Sequence, residues 1–418
     1  MRAEVTQAAA RRGGRSRKIP NPPMRGPSAA PTTVHLPAPT DTMPLTDAEH
    51  ALLERAATLS REIVSPNAAR WERERRIGHE GLAAAVEIGL TRLQVPLAFG
   101  GLAMSFSCKA QLADVLGAGD FGFTMSLINT QNVAAKLARD ARPEVAARYV
   151  PDLIAGRRLG CTALTEPGAG SDFAAITTLA TRVDGGWRID GAKAWISNAG
   201  EADVVVLYAQ TEPGSGGRGI AGFLIDGRRA GFVREPAFAL GGQHTIGTGG
   251  FRLEGYVARD DEMLHPPGQA FKAALSSING ARTYIAAMCC GMVDDSLRVV
   301  REFGARRHTF GKPLADHQGW RWRLAEAASE LAACRLMVTH AATLIDEGRD
   351  AQLAAAQAKL LSTRMAERQL PALAQAMGAE GLREHYPFAR HLMGARVAGF
   401  VDGSTEMLLE RICAVMRG

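Results

Sequence analysis

Leu164-Thr165-Glu166-Pro167-Gly168-Ala169-Gly170-Ser171-Asp172 holds the residue types of a ligand-binding loop. Pro167 has no amide hydrogen and fixes its own φ, so the run belongs outside helix and strand interiors. Gly168 and Gly170 permit backbone conformations closed to other residues and let amides approach a ligand closely. Ser171 and Asp172 add a hydroxyl and a carboxylate. Such a loop can aim several amide hydrogens at an electron-rich group. A plain surface turn has the same composition, and the loop alone does not separate the two. A second run, Gly191-Ala192-Lys193-Ala194-Trp195-Ile196-Ser197-Asn198, follows about two strands later. Near the C-terminus, Asp402-Gly403-Ser404 precedes a helical stretch over 406–415, a position where Asp commonly serves as an N-cap.

These groups need elements to hold them. Thr46-Asp47-Ala48-Glu49 forms a capping-box pattern ahead of a helix with Leu52, Leu53, Ala56, Leu59 and Ile63 on its apolar side. A second helix is expected over 81–90, a turn between helices over Val95–Leu102, and a long helix over 106–117. The pattern changes at Cys161. Stretches 178–183, 187–190, 204–209 and 219–225 have strand composition, with Gly-rich turns such as Asp184-Gly185-Gly186. Helix returns from Phe271, where Ile278, Ile285, Cys289, Met292, Leu297 and Val300 suit one long element. Leu324, Ala327, Ala328, Leu331, Cys334, Val338, Ala341, Ala342 and Ile345 step by three and four, which marks a buried helix face. In the next segment, 351–377, Pro371 is expected to start or kink a helix. The fold class is α+β, in the order helices, strands, helices. Residues 1–43 form a basic tail, 44–160 a helical domain, 161–265 a β domain and 266–418 a helical bundle.

Composition excludes several functions. A chain of 418 residues with 46% hydrophobic and 22% charged residues is that of a soluble globular protein. No uncharged apolar run approaches the ~20 residues needed to span a bilayer, so no membrane role is expected. Residues 1–45 carry seven Arg and Lys against two acidic residues, which leaves the body near neutral and gives no bulk charge for nucleic acid. That tail has almost no large apolar residue and is expected to be disordered, with Met43 as an alternative start. The six cysteines form neither a CxxC pair nor a Cys/His cluster, so no metal site is expected and the setting is cytoplasmic with reduced thiols.

Taken together, the two runs around Gly168 and Trp195 resemble the flavin-binding signature of the acyl-CoA dehydrogenase family, and the resemblance covers about residues 45–418. It implies an N-terminal helical domain, a central β domain and a C-terminal four-helix bundle, with FAD between the β domain and the C-terminal helices. It also implies an FAD-dependent enzyme that dehydrogenates an acyl thioester. Leu164 and Thr165 would contact the flavin ring and Ser171 the phosphate region, with Gly170 a further cofactor residue. Trp195 would lie against the isoalloxazine, and Ser197 near its N5. Val95-Pro96-Leu97-Ala98-Phe99-Gly100-Gly101-Leu102 resembles the family's P-x-x-[YF]-G-G element. Arg307-His308-Thr309-Phe310-Gly311-Lys312 with Gln318 resembles the element that reaches the FAD of a neighbouring subunit. A planar guanidinium matches phosphate oxygens, so Arg307, Thr309, Phe310 and Gln318 become cofactor residues and the protein a homodimer or homotetramer. Gln375 and Gly378 fall on a further cofactor loop, in which Ala379 replaces a family glycine. Ser404 and Glu406 complete the cofactor set.

The family's catalytic base is usually a Glu in a Y-E-G-[ST] motif. The matching residues are Val401-Asp402-Gly403-Ser404, so the carboxylate is one methylene shorter and the preceding aromatic is absent. An alternative family position, just before the helix Arg that matches Arg282, is Ala281. Asp402 is therefore the only base the pattern offers, with Arg282 beside the substrate or base. Asp402 has three readings: a base for a thioester, a base for another carbon acid as in nitroalkane oxidases, or a helix cap. The Arg expected about two turns later in the nitroalkane case is Leu409. Other flavin chemistry, oxidase- or oxygenase-like, and a non-catalytic flavin- or thioester-binding protein stay open. Leu240–Thr245, Asn279-Gly280-Ala281 and Met393-Gly394 depart from family patterns, which leaves the carrier open between acyl-CoA and acyl-carrier protein. An electron-transfer flavoprotein or similar acceptor is the implied partner.

Overall fold

The computed structural model describes residues 45–417. The basic tail over 1–43, and Met43 as a start, lie outside them. The capping box at Thr46 is formed. The Thr46 hydroxyl accepts from the Glu49 amide (3.3 Å), and the Glu49 carboxylate accepts from the Thr46 amide (2.9 Å). It opens α1 (Asp47–Leu59), which runs through a π-helical turn into α2 (Ser65–Glu74). Then follow α3 (His79–Glu87), α4 (Phe106–Gly119), α5 (Phe121–Asp140) and α6 (Pro143–Ile154). Asp120 caps α5 through the Phe123 amide at 2.7 Å.

Eight strands share one sheet: β1 (Gly160–Ala163), β2 (Leu179–Val183), β3 (Gly186–Ile196), β4 (Val204–Gln210), β5 (Ile220–Asp226), β6 (Phe232–Arg234), β7 (Gly249–Arg259) and β8 (Met263–His265). The order is β6-β7-β3-β2-β4-β5-β8, with β1 parallel to β4. Strand β3 is longer than the sequence suggests. It pairs with β7 on one side and β2 on the other and runs through the second motif to Ile196. Tertiary pairing thus extends a strand that local composition would end at Asp190.

The C-terminal part is α7 (Ala270–Arg306), a short hairpin of β9 (His308–Thr309) and β10 (Lys312–Pro313), then α8 (Gln318–Asp346), α9 (Gln352–Ala376), α10 (Phe388–Phe400) and α11 (Thr405–Arg417). Pro371 lies inside α9 and starts no helix. Buried Ala366, Leu370 and Leu373 hold the segment against the bundle on both sides of it, and packing outweighs the one backbone bond that proline removes. Ala328 is exposed although its spacing placed it on the buried face of α8. The apolar stripe is narrower there because only one side of α8 meets the bundle.

Helix α7 organises the rest. Ile285, Met288, Cys289, Cys290 and Met292 are buried, in one core with Ala110 and Ala113 of α4 and Phe121 and Met125 of α5. Two glycines permit the α4–α7 approach. A Cβ at Gly117 would lie 2.8 Å from Met288 Cα, and one at Gly291 1.9 Å from the Asp114 carbonyl oxygen. Among the described residues no helix is long and apolar enough to cross a membrane.

Candidate active site

The loop over 164–172 joins β1 to β2 and is stapled to β3 by a buried ion pair. Lys193 Nζ donates to Glu166 Oε1 at 2.8 Å and to the Leu164 carbonyl at 2.9 Å. The Glu166 side chain is 3% exposed and that of Lys193 0%. Glu166 also accepts from the Thr177 amide (2.6 Å), the Thr177 hydroxyl (2.8 Å) and the Thr178 amide (3.0 Å). Burial pushes this carboxyl up, but the Lys193 ammonium and the hydrogen bonds overcome that and hold it down at about 2. The Ala194 amide donates to the Thr165 carbonyl at 3.1 Å. The two motifs are therefore one structural unit.

Within the loop, Glu166 and Ala169 exchange backbone hydrogen bonds of 2.9 and 3.2 Å. The Gly168, Gly170 and Ser171 amides donate to no group among the described residues. A Cβ at Gly168 would meet nothing within 4 Å. Neither Gly168 nor Gly170 has positive φ, so the freedom expected of these glycines is not used for backbone shape. What they supply is bare, accessible backbone. Leu164 and Thr165 are half-buried, and Gly170 and Ser171 exposed.

Trp195 sits at φ +61°, a left-handed conformation that bulky residues rarely adopt. The β3–β7 register shifts there, between Lys193 and Ile196. The indole is 60% exposed and meets Phe238 edge-on, with centroids 5.1 Å apart. Such strain persists only where the surroundings impose it, and it gathers at functional sites. Half-buried Ser197 is held by its neighbour. Asn198, at φ +62°, donates to the Ser126 carbonyl (3.0 Å) and the Gly160 carbonyl (3.1 Å).

Downstream of the loop, Phe173 stacks on Phe271 of α7, with centroids 5.4 Å apart and planes 7° apart. Arg282 stands eleven residues further along α7, about 16 Å at 1.5 Å per residue. Its Nε donates to the Asp402 carbonyl at 3.1 Å. Lys359 of α9, fully buried, donates to the Val401 carbonyl and to the Gly403 carbonyl at 2.6 Å. Three carbonyls in a row are thus clamped by two cations. Asp402 has φ +51° and Gly403 φ +101°. The φ of Gly403 is one that side chains rarely adopt, and a Cβ there would also lie 3.2 Å from Arg282 Nη2. Burial pushes the Asp402 carboxyl up, against the pull of Lys359 and Arg282. Burial likewise pushes Lys359 down to about 8, against Asp402. Among the described residues the Asp402 carboxylate accepts no hydrogen bond from α11. Ser404 occupies the cap position instead, its carbonyl accepting from the Leu408 amide at 3.0 Å. The helix-cap reading of Asp402 is thereby corrected: α11 begins at Thr405, one residue beyond Ser404. Glu406 is exposed in the first turn of that helix.

The remaining candidates gather at the other end of the bundle. Arg307, Thr309 and Phe310 belong to the β9–β10 hairpin, and Phe310 is 97% exposed at φ +50°. Gln318 begins α8. Two residues on, Trp320 Nε1 donates to the Ala376 carbonyl at 2.9 Å, which brings Gln375 and Gly378 beside that end of the bundle. Among the described residues no hydrogen bond joins this group to the loop over 164–172.

Three anchoring residues escaped the sequence reading: Glu166, Lys193 and Lys359. Each had a signal. Lys193 is the one charged residue of its motif and lies between Ala192 and Ala194, Glu166 is one of two carboxylates in its loop, and Lys359 is the one charge in the run Ala354-Ala355-Ala356-Gln357-Ala358-Lys359-Leu360-Leu361.

Comparison with known proteins bears on the family and the fold. Three family models match: acyl-CoA dehydrogenase N-terminal domain over residues 46–157, middle domain over 161–256 and C-terminal domain over 268–416. The chain is similar to the short-chain specific acyl-CoA dehydrogenase of Megasphaera elsdenii, 30% identical over 295 residues, which is 69% of this chain and 76% of the relative. It also resembles the solved glutaryl-CoA complex of glutaryl-coenzyme A dehydrogenase, with TM-score 0.85, 27% identity, and 90% and 96% of the two chains covered. A glutaryl-CoA dehydrogenase from Mycobacterium smegmatis in complex with FADH2 matches at TM-score 0.83 and 25% identity, covering 89% and 95%.

Proposed function

The chain belongs to the acyl-CoA dehydrogenase family, and from that premise we propose an FAD-dependent dehydrogenase of acyl-CoA thioesters in which Asp402 removes the α-proton. The observation that carries the assignment is the clamped segment 401–404. Its backbone carbonyls are held by Arg282 and Lys359, its carboxylate caps no helix, and its φ is strained at the residue concerned. A base must be held where its proton is, and a carboxylate of raised pKa is a better base.

The residues fit an FAD. The loop over 164–172 offers uncommitted amides and room above Gly168, which suits phosphate oxygens. The exposed indole of Trp195 offers a flat face, and Ser197 a hydroxyl beside it. FAD, when bound, supplies the acceptor for the β-hydride. The protein's own part is to deprotonate the α-carbon at Asp402 and to keep that carboxylate ionised with Lys359 and Arg282 nearby. The 401–404 segment is half-buried, with buried Lys359 beneath it. The hairpin carrying Arg307, Thr309 and Phe310, with Gln318, Gln375 and Gly378, completes the cofactor site of a second copy, so the working form is a homo-oligomer. Phe310, 97% exposed, is the residue that association would cover. Electrons leave to an electron-transfer flavoprotein or a similar acceptor.

The test is anaerobic bleaching of the bound flavin by acyl-CoA and acyl-carrier-protein thioesters, in wild type and Asp402→Asn. Bleaching by a CoA thioester that the variant loses by ~10²-fold or more supports the assignment. Unchanged bleaching in Asp402→Asn removes Asp402 as the base, and bleaching by carrier-protein thioesters alone replaces CoA as the carrier.

A further inference from the structure

One buried cation near Asp402 has no part in the mechanism above. Lys109, on α4, is 2% exposed. Its Nζ donates to Gln94 Oε1 at 2.9 Å and to Asn132 Oδ1 at 2.5 Å, and it lies 5.5 Å from the centroid of the Tyr284 ring. Both hydrogen-bonded partners are neutral. Among the described residues no carboxylate comes within ion-pair distance. The other buried lysines lie in the field of a carboxylate: Lys193 pairs with Glu166, Lys359 sits against two carbonyls and the field of Asp402, and Lys136 donates to the Tyr208 hydroxyl in the field of Asp140. Among the described residues Lys109 has two amide oxygens and the Tyr284 ring but no carboxylate, and burial pushes it down to about 7.

The cluster adjoins the base. Tyr284 follows Arg282 by two positions on α7, and its hydroxyl accepts from Asn132 Nδ2 at 3.2 Å. Burial first, and then the Asp402 carboxylate, raise the Tyr284 phenol. Tyr284 thus lies in the field of Asp402 and under the Lys109 ammonium, and links the two. The direction matters. A CoA carrier is large and polar and must leave toward water. An acyl chain with its α-carbon at Asp402 therefore runs inward, toward α4, α5 and α7, where Phe106, Ala281 and Ile285 are otherwise apolar. A plain alkyl tail there would deepen the desolvation of an unpaired ammonium. A tail ending in a carboxylate would supply its missing counter-charge.

Building on the dehydrogenase reading, we infer that Lys109, with Gln94 and Asn132, forms the distal end of the acyl site and selects acyl thioesters whose far end carries a carboxylate.

The holoenzyme is assayed with two matched series of CoA thioesters, saturated monocarboxylic and α,ω-dicarboxylic monothioesters of increasing length, in wild type and Lys109→Met. Flavin content and melting temperature are measured beside the rates. The expected result is a wild type that prefers one ω-carboxyacyl-CoA over its alkyl isostere. In Lys109→Met, kcat/KM for that substrate falls by about 30-fold or more, through KM above all, while alkyl substrates hold or improve. KM for the ω-carboxy substrate in wild type also rises as pH climbs past neutrality, as the ammonium titrates, and Lys109→Met lacks this limb. If Lys109→Met does not fold, Lys109→Gln and the wild-type preference carry the test. A wild type that oxidises alkyl thioesters as well as ω-carboxy ones overturns the inference and leaves the dehydrogenase standing. A wild type whose flavin no thioester reduces overturns the dehydrogenase reading, and this inference with it.

Discussion

Removing the charge of Glu166 should weaken both the fold and the hold on flavin. Both carboxylate oxygens of Glu166 accept from donors: Oε2 from the Thr177 amide and hydroxyl, Oε1 from the Thr178 amide and Lys193 Nζ. In Glu166→Gln an amide nitrogen must face one of these donor sets, whichever way the side chain flips. The Lys193 ammonium is then left buried with the Leu164 carbonyl as its remaining strong acceptor. Breaking a buried pair by removing one partner costs about 3–5 kcal/mol. At about 1.3 °C per kcal/mol for a body of this size, the melting temperature should drop by about 4–6 °C. Lys193→Met should cost less, because Glu166 keeps three donors. Both variants should release FAD more readily, since the pair ties the loop over 164–172 to the strand that presents Trp195. The pH dependence has a definite sign. The folded Glu166 carboxyl is held at about 2, below its usual 4.5. Its contribution is therefore present above pH 4.5 and lost as pH falls toward 2, so the gap between wild type and Glu166→Gln should close across that window. Scanning calorimetry and flavin absorbance report the two effects. Glu166→Gln melting within about 1 °C of wild type, with full flavin content, would refute the reasoning.

Lys359→Met removes the buried donor to the Val401 and Gly403 carbonyls. At about 1.5–3 kcal/mol for such charge-assisted bonds, stopped-flow flavin reduction should slow by about 10- to 100-fold while thioester binding changes little; an unchanged rate would show that the clamp does not position the base. The Asp402 carboxyl is raised above 3.8 by burial, and the base works only when ionised. The reduction rate should therefore fall toward acid with an apparent pKa above 3.8, a limb that Asp402→Asn lacks. Phe310→Ser removes a ring that is 97% exposed. Sedimentation should show a smaller species or weaker flavin retention, and neither change would exclude the hairpin from the subunit interface.

Much of the architecture was legible because it is written in local periodicity. The capping box at Thr46, the helical stripes of α7 and α8 and the change of pattern at Cys161 are properties of neighbours in sequence. Other features were not. Pro371 reads as the start or kink of a helix, yet it starts none, and buried Leu370 and Leu373 carry α9 through it. Strand composition ends at Asp190, yet pairing with β7 draws β3 on to Ile196. One of the three readings of Asp402 is an N-cap, yet α11 opens at Thr405, beyond Ser404. Gly168 and Gly170 read as conformational necessities, whereas their φ values are ordinary. Lys109 falls at helical spacing between Phe106 and Leu112, on an apolar face, and that misfit was available to inspection.

From its residues alone, this chain announces the helix–strand–helix order, the family and the residue types of a flavin site, because motif spacing and hydrophobic period need no partner to be read. Only the tertiary structure decides which charges are compensated. Glu166 meets Lys193 across 27 positions, Arg282 meets the Asp402 carbonyl across 120, and among the described residues Lys109 meets no carboxylate. The free energy of a buried charge depends on what the fold brings within a few ångströms of it, and sequence distance carries no record of that.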